Sequence, residues 1–454
     1  MAGLKPVTKQ TVAKAMPLVR ALIERLRATM LADSDTDVDH EYLFIGTLGT
    51  IAIHGTDTVH YRAARDALID LHGRYTERRV ISRRHVEKLL TETLMRTLRP
   101  AYGGYSDLRP RFERRTRKEL QRLAKELLLP HRRWQLVVEV SGFTKDILPM
   151  TIGRIRFVRG SKSVATQVAT NIFDLQPGSP RIALKKRLAA NASRQQSRVE
   201  VSEMFAKNAV AFAEVAAIDS AAAKEIGFSE VRRTIDVLNF FAPFFEHPVG
   251  PHRVHLAPEG RGARLRWAVY DPSTCAFSYN DEPPNEWSLC ELRPTSRRAR
   301  EIGLARMHQL LANETRSDLD DRIVTAAAWA GRARAERRRE EAFLLFAIAL
   351  EALVTKSSAR SGVTERLKFR IAHLVHRKPA PRRTLANTME QLYKIRSALV
   401  HAGASDELGD RDLKIIEHVV ELALCTMLTR KPFVLMKNAT AFDNWFDDRM
   451  YSGT

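Results

Sequence analysis

The chain has 454 residues, of which 44% are hydrophobic and 28% are charged. This length allows two or three domains with large buried cores, and the composition excludes a wholly disordered chain. Lys and Arg outnumber Asp and Glu by 74 to 53, and the resulting net charge of +21 favours a polyanionic partner, either nucleic acid or an anionic membrane surface.

The first part of the chain, residues 1–130, is predicted to be an all-helical N-terminal region. Apolar residues recur at helical spacing in residues 18–30, 61–72 and 85–98. A further predicted helix, residues 111–129, carries a run of basic side chains over a leucine stripe and stops at Pro130. The first thirty residues predict an amphipathic helix rather than a secretory signal.

The character of the sequence changes near residue 131, where a central α+β domain is predicted to extend to residue 300. Alternating and β-branched residues predict strands at residues 135–140, 151–158, 210–218 and within 254–269. Between them, residues 220–241 predict a helix, and the glycines of residues 259–262 predict a hairpin turn. The sheet is therefore expected to contain antiparallel strands.

Residues 301–454 are predicted to form an all-α bundle. Its helices are expected at residues 321–355, 364–376, 384–400 and 410–430, with Pro379 and Pro381 separating the second from the third. The whole chain is thus predicted to be an α+β multidomain protein with an N-terminal helical region, a central α+β domain and a C-terminal helical bundle.

The expected compartment and the expected lack of cofactors are inferred from motifs that are missing from the sequence. Cys275, Cys290 and Cys425 form no CxxC pair, which favours a reducing cytosol, and the most apolar stretch, residues 42–53, is too short for the ~20 residues of a membrane span. The aspartates of residues 33–39 lack the glycine and final acid of a calcium loop, and the histidines of residues 247–255 lack further zinc ligands. We therefore expect a cytoplasmic protein without metal or cofactor. Phosphate-loop and nucleophile-elbow motifs are also missing.

One motif carries chemistry suited to RNA. Arg396 and His401 stand five positions apart, just before Gly403, near the end of the third predicted helix of the bundle. Imidazole titrates near neutral pH and transfers protons, while guanidinium offers a fork of donors shaped for phosphate oxygens. Together they supply two things that metal-free phosphodiester cleavage needs.

Spacing alone is weak evidence, because looser Arg-to-His spacings recur along this arginine-rich chain. Such pairs are Arg65 and His72, Arg78 or Arg79 and His85, Arg366 and His373, Arg370 and His376, and Arg411 and His418. The four-residue gap is met only by Arg396 and His401. Residues 351–400 also hold eleven Lys and Arg against three Asp and Glu, so the positive charge is concentrated around this pair.

The helical position of Arg396 predicts a partner for it. Arg396 falls almost on the apolar stripe of its helix, and a guanidinium facing a core or cleft is costly unless its donors meet an anion or carbonyl oxygens. His401 lies about 140° further around an ideal helix. For both side chains to reach one phosphate, the helix is expected to end or distort between them, and Gly403 offers the means.

Three blocks of the bundle, residues 346–353, 367–374 and 393–403, resemble successive blocks of a HEPN domain, closest to the abortive-infection branch of antiviral defence proteins. The resemblance covers about residues 320–430. It implies a helical bundle that forms a homodimer, with two Arg396 and His401 pairs facing one cleft as a metal-independent endoribonuclease. The expected products are a 2′,3′-cyclic phosphate and a 5′-OH, since RNA carries its own 2′-OH nucleophile.

Four further residues complete the predicted site. Ser397, Arg370 and Tyr393 are assigned to substrate binding and Glu351 to a supporting role. Arg370 is either a second phosphate contact or a buried stabilising partner, and Glu351 is expected to form a structural ion pair with Arg396 or Arg370. Many active members of the wider family have Asn, Asp or His where this chain has Ser397. The alternative function is a non-catalytic RNA-binding or regulatory dimerisation module, and the activating trigger is not specified by the sequence.

Overall fold

The structure is a computed structural model that forms two compact units. Unit 1 comprises residues 1–135, 215–227 and 269–277, and unit 2 comprises residues 136–214, 228–268 and 278–454. The structure describes residues 9–32, 40–45, 49–70, 74–75, 78–79, 81–98, 109–128, 132–141, 143, 147–173, 205–206, 209–245, 255–256, 267–270, 277–280, 296–313, 315–336, 338–355, 363–402 and 408–452. The predicted division into three domains remains a prediction.

Four helices with a shared core make up most of the described part of unit 1. They are α1 (Lys9–Ala32), α2 (Gly55–Asp70), α3 (Arg83–Leu98) and α4 (Arg109–Leu127). Apolar residues at helical spacing, among them Leu22, Leu68, Leu90 and Leu127, are fully or almost fully buried between them. The four helices predicted for this region are therefore confirmed, although the first begins nine residues and the second six residues earlier than predicted.

The prediction of helices alone for residues 1–130 was wrong at two places. Strands β1 (His40–Ile45) and β2 (Gly49–His54) pair antiparallel, as do the short strands β3 (Arg74–Tyr75) and β4 (Arg78–Arg79). The first pair carries aromatic and β-branched residues that favour a pleated surface over a helix.

A seven-stranded sheet occupies the middle of the described chain. Its strands are β5 (Arg132–Ser141), β6 (Met150–Ile152), β7 (Ile155–Arg159), β8 (Ala209–Ala217), β9 (His255–Leu256), β10 (Trp267–Tyr270) and β11 (Phe277–Asn280). The strand order is β11-β10-β5-β8-β7-β6, with β9 also pairing with β5. The pairings of β5 with β9, of β6 with β7 and of β7 with β8 are antiparallel, as the sequence predicted.

The predicted strand at residues 151–158 is a tight hairpin of β6 and β7. Gly153 occupies its turn with φ +59°, a left-handed conformation that glycine adopts without steric cost. A Cβ at this position would lie 2.4 Å from the Cβ of Leu311. Helix α5 (Lys162–Phe173) follows the hairpin, and α6 (Ser220–Phe241) has the predicted bounds. The predicted turn at residues 259–262 lies outside the described residues.

Eight α-helices follow the sheet along the described part of unit 2. They are α7 (Arg297–Glu301), α8 (Leu304–Ala312), α9 (Asp318–Ala335), α10 (Arg339–Val354), α11 (Val363–Val375), α12 (Pro379–Ala402), α13 (Asp410–Thr429) and α14 (Ala439–Ser452). With the sheet, they confirm the α+β class of the chain. The helices predicted at residues 364–376, 384–400 and 410–430 correspond to α11, α12 and α13.

Two predictions about these helices were wrong. The single helix predicted at residues 321–355 is an adjacent pair, α9 and α10, which pack closely on each other. The chain turns at Glu336, whose ψ of 139° is extended. Pro379 and Pro381 lie in the first turn of α12 rather than before it. Proline is tolerated there because first-turn N–H groups have no intrahelical acceptor.

A buried guanidinium ties α9 to the helices beside it. The side chain of Arg334 is 5% exposed, and its Nε donates to Glu417 of α13 at 2.8 Å. Its other nitrogens donate to Glu421 and to the backbone carbonyl of Phe240 in α6. These charge-assisted hydrogen bonds fix α13 in the bundle that contains α10 and α12.

Candidate functional site

The candidate motif lies on the last turns of α12, whose two sides differ in burial. Met389, Leu392 and Leu399 are at most 4% exposed and pack into the bundle. The opposite side presents exposed residues, among them Lys394, Ser397, Val400 and His401. The helix therefore projects the motif from a rigid, well-packed base.

Arg396 lies between these two sides and has a partner, as its position predicted. Its Nη2 is 3.3 Å from Oε1 of Glu351 on α10, and the two side chains are 31% and 23% exposed. The expected contact between Glu351 and Arg396 is thus present. A half-desolvated ion pair of this kind holds the guanidinium in place while leaving part of it at the surface.

Tyr393 stands one turn before Arg396 and is buried, with 6% of its surface exposed. Its hydroxyl donates to the backbone carbonyl of Ala347 at 3.4 Å. Burial raises the pKa of the phenol well above its ordinary value, and the nearby charge of Glu351 and a hydrogen bond to it raise the pKa further. The phenol stays protonated and packs α12 onto α10, so its position gives no support to the predicted contact with substrate.

Arg370 takes the second of its two predicted roles, that of a buried stabilising partner. Its side chain is 7% exposed, and Nη1 donates to Oδ1 of Asp443 at 2.5 Å and to the carbonyl of Val354 at 2.8 Å. Burial and these bonds remove Arg370 from the surface that a phosphate reaches. Ser397 is exposed on α12, one residue after Arg396, where its predicted contact with substrate stays a prediction.

His401 is exposed, and α12 continues without a break from Arg396 through Ala402. The expectation that the helix ends or distorts between the two residues was wrong, because both lie within the α-helix, which extends to Ala402. Five residues of regular helix give a rotation of about 140° and a rise of ~7.5 Å. Within one chain, Arg396 and His401 therefore point to different sides of α12. Gly403 lies outside the described residues.

Two other histidines of the bundle have structural neighbours. The ring of His373 lies 3.9 Å from the ring of Phe369, and its Nδ1 is 2.9 Å from the carbonyl of the same residue. Burial lowers the pKa of His373 below its ordinary value. His418 of α13 pairs with Glu421 at 3.4 Å. These contacts agree with the interpretation of the other Arg-to-His spacings as incidental.

Sequence reasoning missed a buried charge cluster around Arg370, one of the predicted site residues. The side chain of Asp443 on α14 is 2% exposed, and its Oδ1 accepts a hydrogen bond from Arg370. Nη1 of Arg322 lies 3.8 Å from the same oxygen. Phe442 and Phe446, both fully buried, flank this carboxylate on the same helix. An acidic residue at helical spacing from buried aromatic residues was the available signal, since it places a charge on an apolar face.

Searches for metal-binding groups among the described residues and for similar proteins add no further evidence about the site. Within the described residues, no three His, Cys, Asp or Glu side chains are grouped so that they could hold a metal ion. The described helices include none with the length and apolarity needed to cross a bilayer. Comparisons of the chain with protein-family models, curated proteins and solved structures found no match.

Cys425 on α13 is expected to react slowly with thiol reagents. Burial raises the pKa of its thiol to about 11, and the charge of Glu421 adds to the effect. At pH 8 the native protein should hold roughly a hundredfold less Cys425 thiolate than an ordinary cysteine. Labelling with a disulfide reagent in a Cys275→Ser/Cys290→Ser variant checks this. The rate should rise about tenfold per pH unit and jump on unfolding in urea. A native rate equal to the unfolded rate would contradict the buried thiol.

Proposed function

We propose that this chain is a cytoplasmic, metal-independent endoribonuclease of the HEPN type that acts in antiviral, abortive-infection defence. The observation that carries the proposal is a partly exposed arginine, held by one carboxylate, on the same helical end as an exposed histidine. The strongly basic composition of residues 351–400 supports an RNA substrate. The three blocks that resemble HEPN sequences supply the reaction type.

The reaction follows from the substrate's own nucleophile. The 2′-OH of the ribose attacks the adjacent phosphorus while an imidazole accepts its proton, and the P–O5′ bond breaks. A second imidazole, or the same one after proton exchange, protonates the departing 5′-oxygen. The guanidinium of Arg396 offsets the charge that builds on the phosphorane oxygens. The products carry a 2′,3′-cyclic phosphate and a 5′-OH.

A homodimer reconciles this reaction with the helix geometry. Because Arg396 and His401 point to different sides of one continuous helix, a single phosphate is contacted by Arg396 of one copy and His401 of the other. The exposed apolar side chain of Val400, 50% exposed between these residues, gives such a contact an apolar centre. Glu351 neutralises Arg396 in the absence of RNA, and a phosphate takes the place of the carboxylate when RNA binds.

A non-catalytic RNA-binding dimer is the second candidate, favoured by one observation. Ser397 occupies the exposed position after Arg396, where many active members of the family that the chain resembles have Asn, Asp or His. In that case Arg396 binds phosphate and His401 transfers no proton.

RNA cleavage in EDTA distinguishes the two candidates. Purified protein incubated with a labelled RNA and EDTA is expected to give fragments with cyclic-phosphate ends, whereas a DNA of the same sequence stays intact because it lacks the 2′-OH. Expression in cells is the parallel measurement for an enzyme that needs a trigger, with growth arrest that His401→Ala abolishes. RNA binding without cyclic-phosphate products and without growth arrest would favour the non-catalytic dimer.

A further inference from the structure

Helix α4 of unit 1 has one face buried and the opposite face covered with positive charge. Phe112, Leu123 and Leu127 are at most 3% exposed and face the core of unit 1. The opposite face carries five exposed basic side chains, which we call the basic ridge: Arg111, Arg114, Lys118, Arg122 and Lys125.

The spacing of the basic ridge makes it continuous. Successive members are separated by three, four, four and three residues, which keeps all five within a sector of about 80° on an ideal helix. From Arg111 to Lys125 the ridge is ~21 Å long. Positive charges therefore follow one another about every 5 to 6 Å along the helix axis.

Within the part of the chain that the structure describes, no ion pair neutralises the charge of the ridge. Elsewhere in unit 1, exposed arginines pair with a glutamate one turn away, as Arg20 does with Glu24 at 3.0 Å and Arg83 with Glu87 at 2.7 Å. Among the described residues, none of the five ridge side chains has an ion pair or hydrogen bond of this kind. Glu119 of the same helix is buried, 3.9 Å from Arg96. The five exposed charges of the ridge thus present a positive field to solvent.

We propose that the basic ridge is a second nucleic-acid contact of this protein, which binds the phosphate backbone of a duplex independently of sequence. A row of arginine and lysine side chains matches the regular negative charge of a duplex, and backbone contacts need no groove reading. The described ridge contains no exposed aromatic residue, whereas single-strand binding usually adds stacking of bases on aromatic rings. A membrane surface fits less well, because the apolar face of α4 is already used by the core and leaves nothing to insert among lipids.

This contact rests on α4 alone and does not depend on the proposed nuclease site of α12. The two functions are complementary, since a duplex held by unit 1 raises the local concentration of nucleic acid around the bundle. A failure of one proposal leaves the other to be judged on its own residues.

Fluorescence anisotropy with labelled 20-base-pair RNA and DNA duplexes, across a range of salt concentrations, tests the ridge. Full-length protein carrying His401→Ala is the parent, so that cleavage cannot consume the probe. Arg114→Gln/Lys118→Gln/Arg122→Gln removes three ridge charges. Lys14→Gln/Lys88→Gln/Lys437→Gln is the matched control and removes three exposed charges elsewhere. Glutamine suits exposed helix positions, and equal melting temperatures of the two variants confirm that both fold.

The ridge variant is expected to bind both duplexes at least about tenfold more weakly near 100 mM salt and to lose about 2 to 3 units from the slope of log affinity against log salt. The control should change affinity less than about threefold. Comparison of RNA with DNA shows which duplex the ridge prefers. Equal weakening in both variants would reduce the ridge to ordinary surface charge and overturn the proposal. Ridge-dependent binding to phosphatidylserine vesicles, with duplex binding unchanged, would replace it with a membrane contact.

Discussion

Replacing His401 with alanine is expected to lower RNA cleavage by at least about 100-fold, because positioned proton transfer contributes roughly 10²–10⁴ to such reactions. The exposed side chain makes few packing contacts, so the melting temperature should change little. Arg396→Ala should lower the rate of RNA cleavage roughly 10²–10³-fold, because the charge that builds on the phosphorane is no longer stabilised. Arg396→Lys should keep only part of the rate, because an ammonium cannot contact two phosphate oxygens with a planar fork.

The neighbouring helix α13 supplies a matched control. Arg411 and His418 are both exposed there and form one of the looser Arg-to-His spacings of this chain. Arg411→Ala and His418→Ala should leave the cleavage rate within about twofold of the parent, since surface substitutions away from a site rarely matter. An equal loss of cleavage at both pairs would show that the assay reports general RNA binding.

Mixed dimers decide whether each site is shared between two copies. When Arg396→Ala and His401→Ala proteins are mixed and allowed to exchange subunits, each heterodimer has one site with both groups intact, provided the groups come from different copies. Random exchange should then restore about a quarter of the parent activity. Sites built within one chain would show no recovery, and the geometry of the unbroken helix would have to change on binding RNA.

Local patterns predicted the fold well where one face of a helix is apolar. Helix α6 has the predicted bounds, and buried residues recur every three or four positions in its first half before residues 234–241, which are all buried. The break at Glu336 escaped prediction because the surrounding residues all favour helix. Just before the break, Arg334 is held by Glu417, Glu421 and the carbonyl of Phe240, which are far away along the chain and are not encoded in a local pattern.

In the candidate site, too, features that depend on one helix were predictable, whereas features that depend on residues far apart in sequence were not. The need of Arg396 for an anion or carbonyl oxygens followed from its helical position, and Glu351 on α10, one of the expected pairings, proved to be a partner. The role of Arg370 could not be decided in this way, because its partner Asp443 is 73 residues away on a helix that the sequence analysis had not identified. The burial of Tyr393 likewise depends on how closely α10 approaches α12, which periodicity does not specify.

Replacing Asp443 with alanine is expected to destabilise unit 2 by about 3–5 kcal/mol, because a buried guanidinium would lose its charged partner. Asp443 is 2% exposed and lies 2.5 Å from Nη1 of Arg370, whose side chain is 7% exposed. A second guanidinium, that of Arg322, stands 3.8 Å from the same carboxylate. Hydrogen exchange of α14, together with urea unfolding, measures the loss, and faster exchange should appear throughout this helix.

Asp447, one turn later on α14, provides the control for this substitution. Its side chain is 48% exposed and 4.0 Å from Nη2 of Arg370, so Asp447→Ala should cost less than about 1 kcal/mol. The double variant Arg370→Met/Asp443→Leu removes both charges and should be more stable than Asp443→Ala alone, since the cost comes from the unpaired charge. If Asp443→Ala and Asp447→Ala unfolded at the same urea concentration, the cluster would contribute no more than a surface ion pair. The anchoring of α14 would then rest on Phe442 and Phe446, which are fully buried beside it.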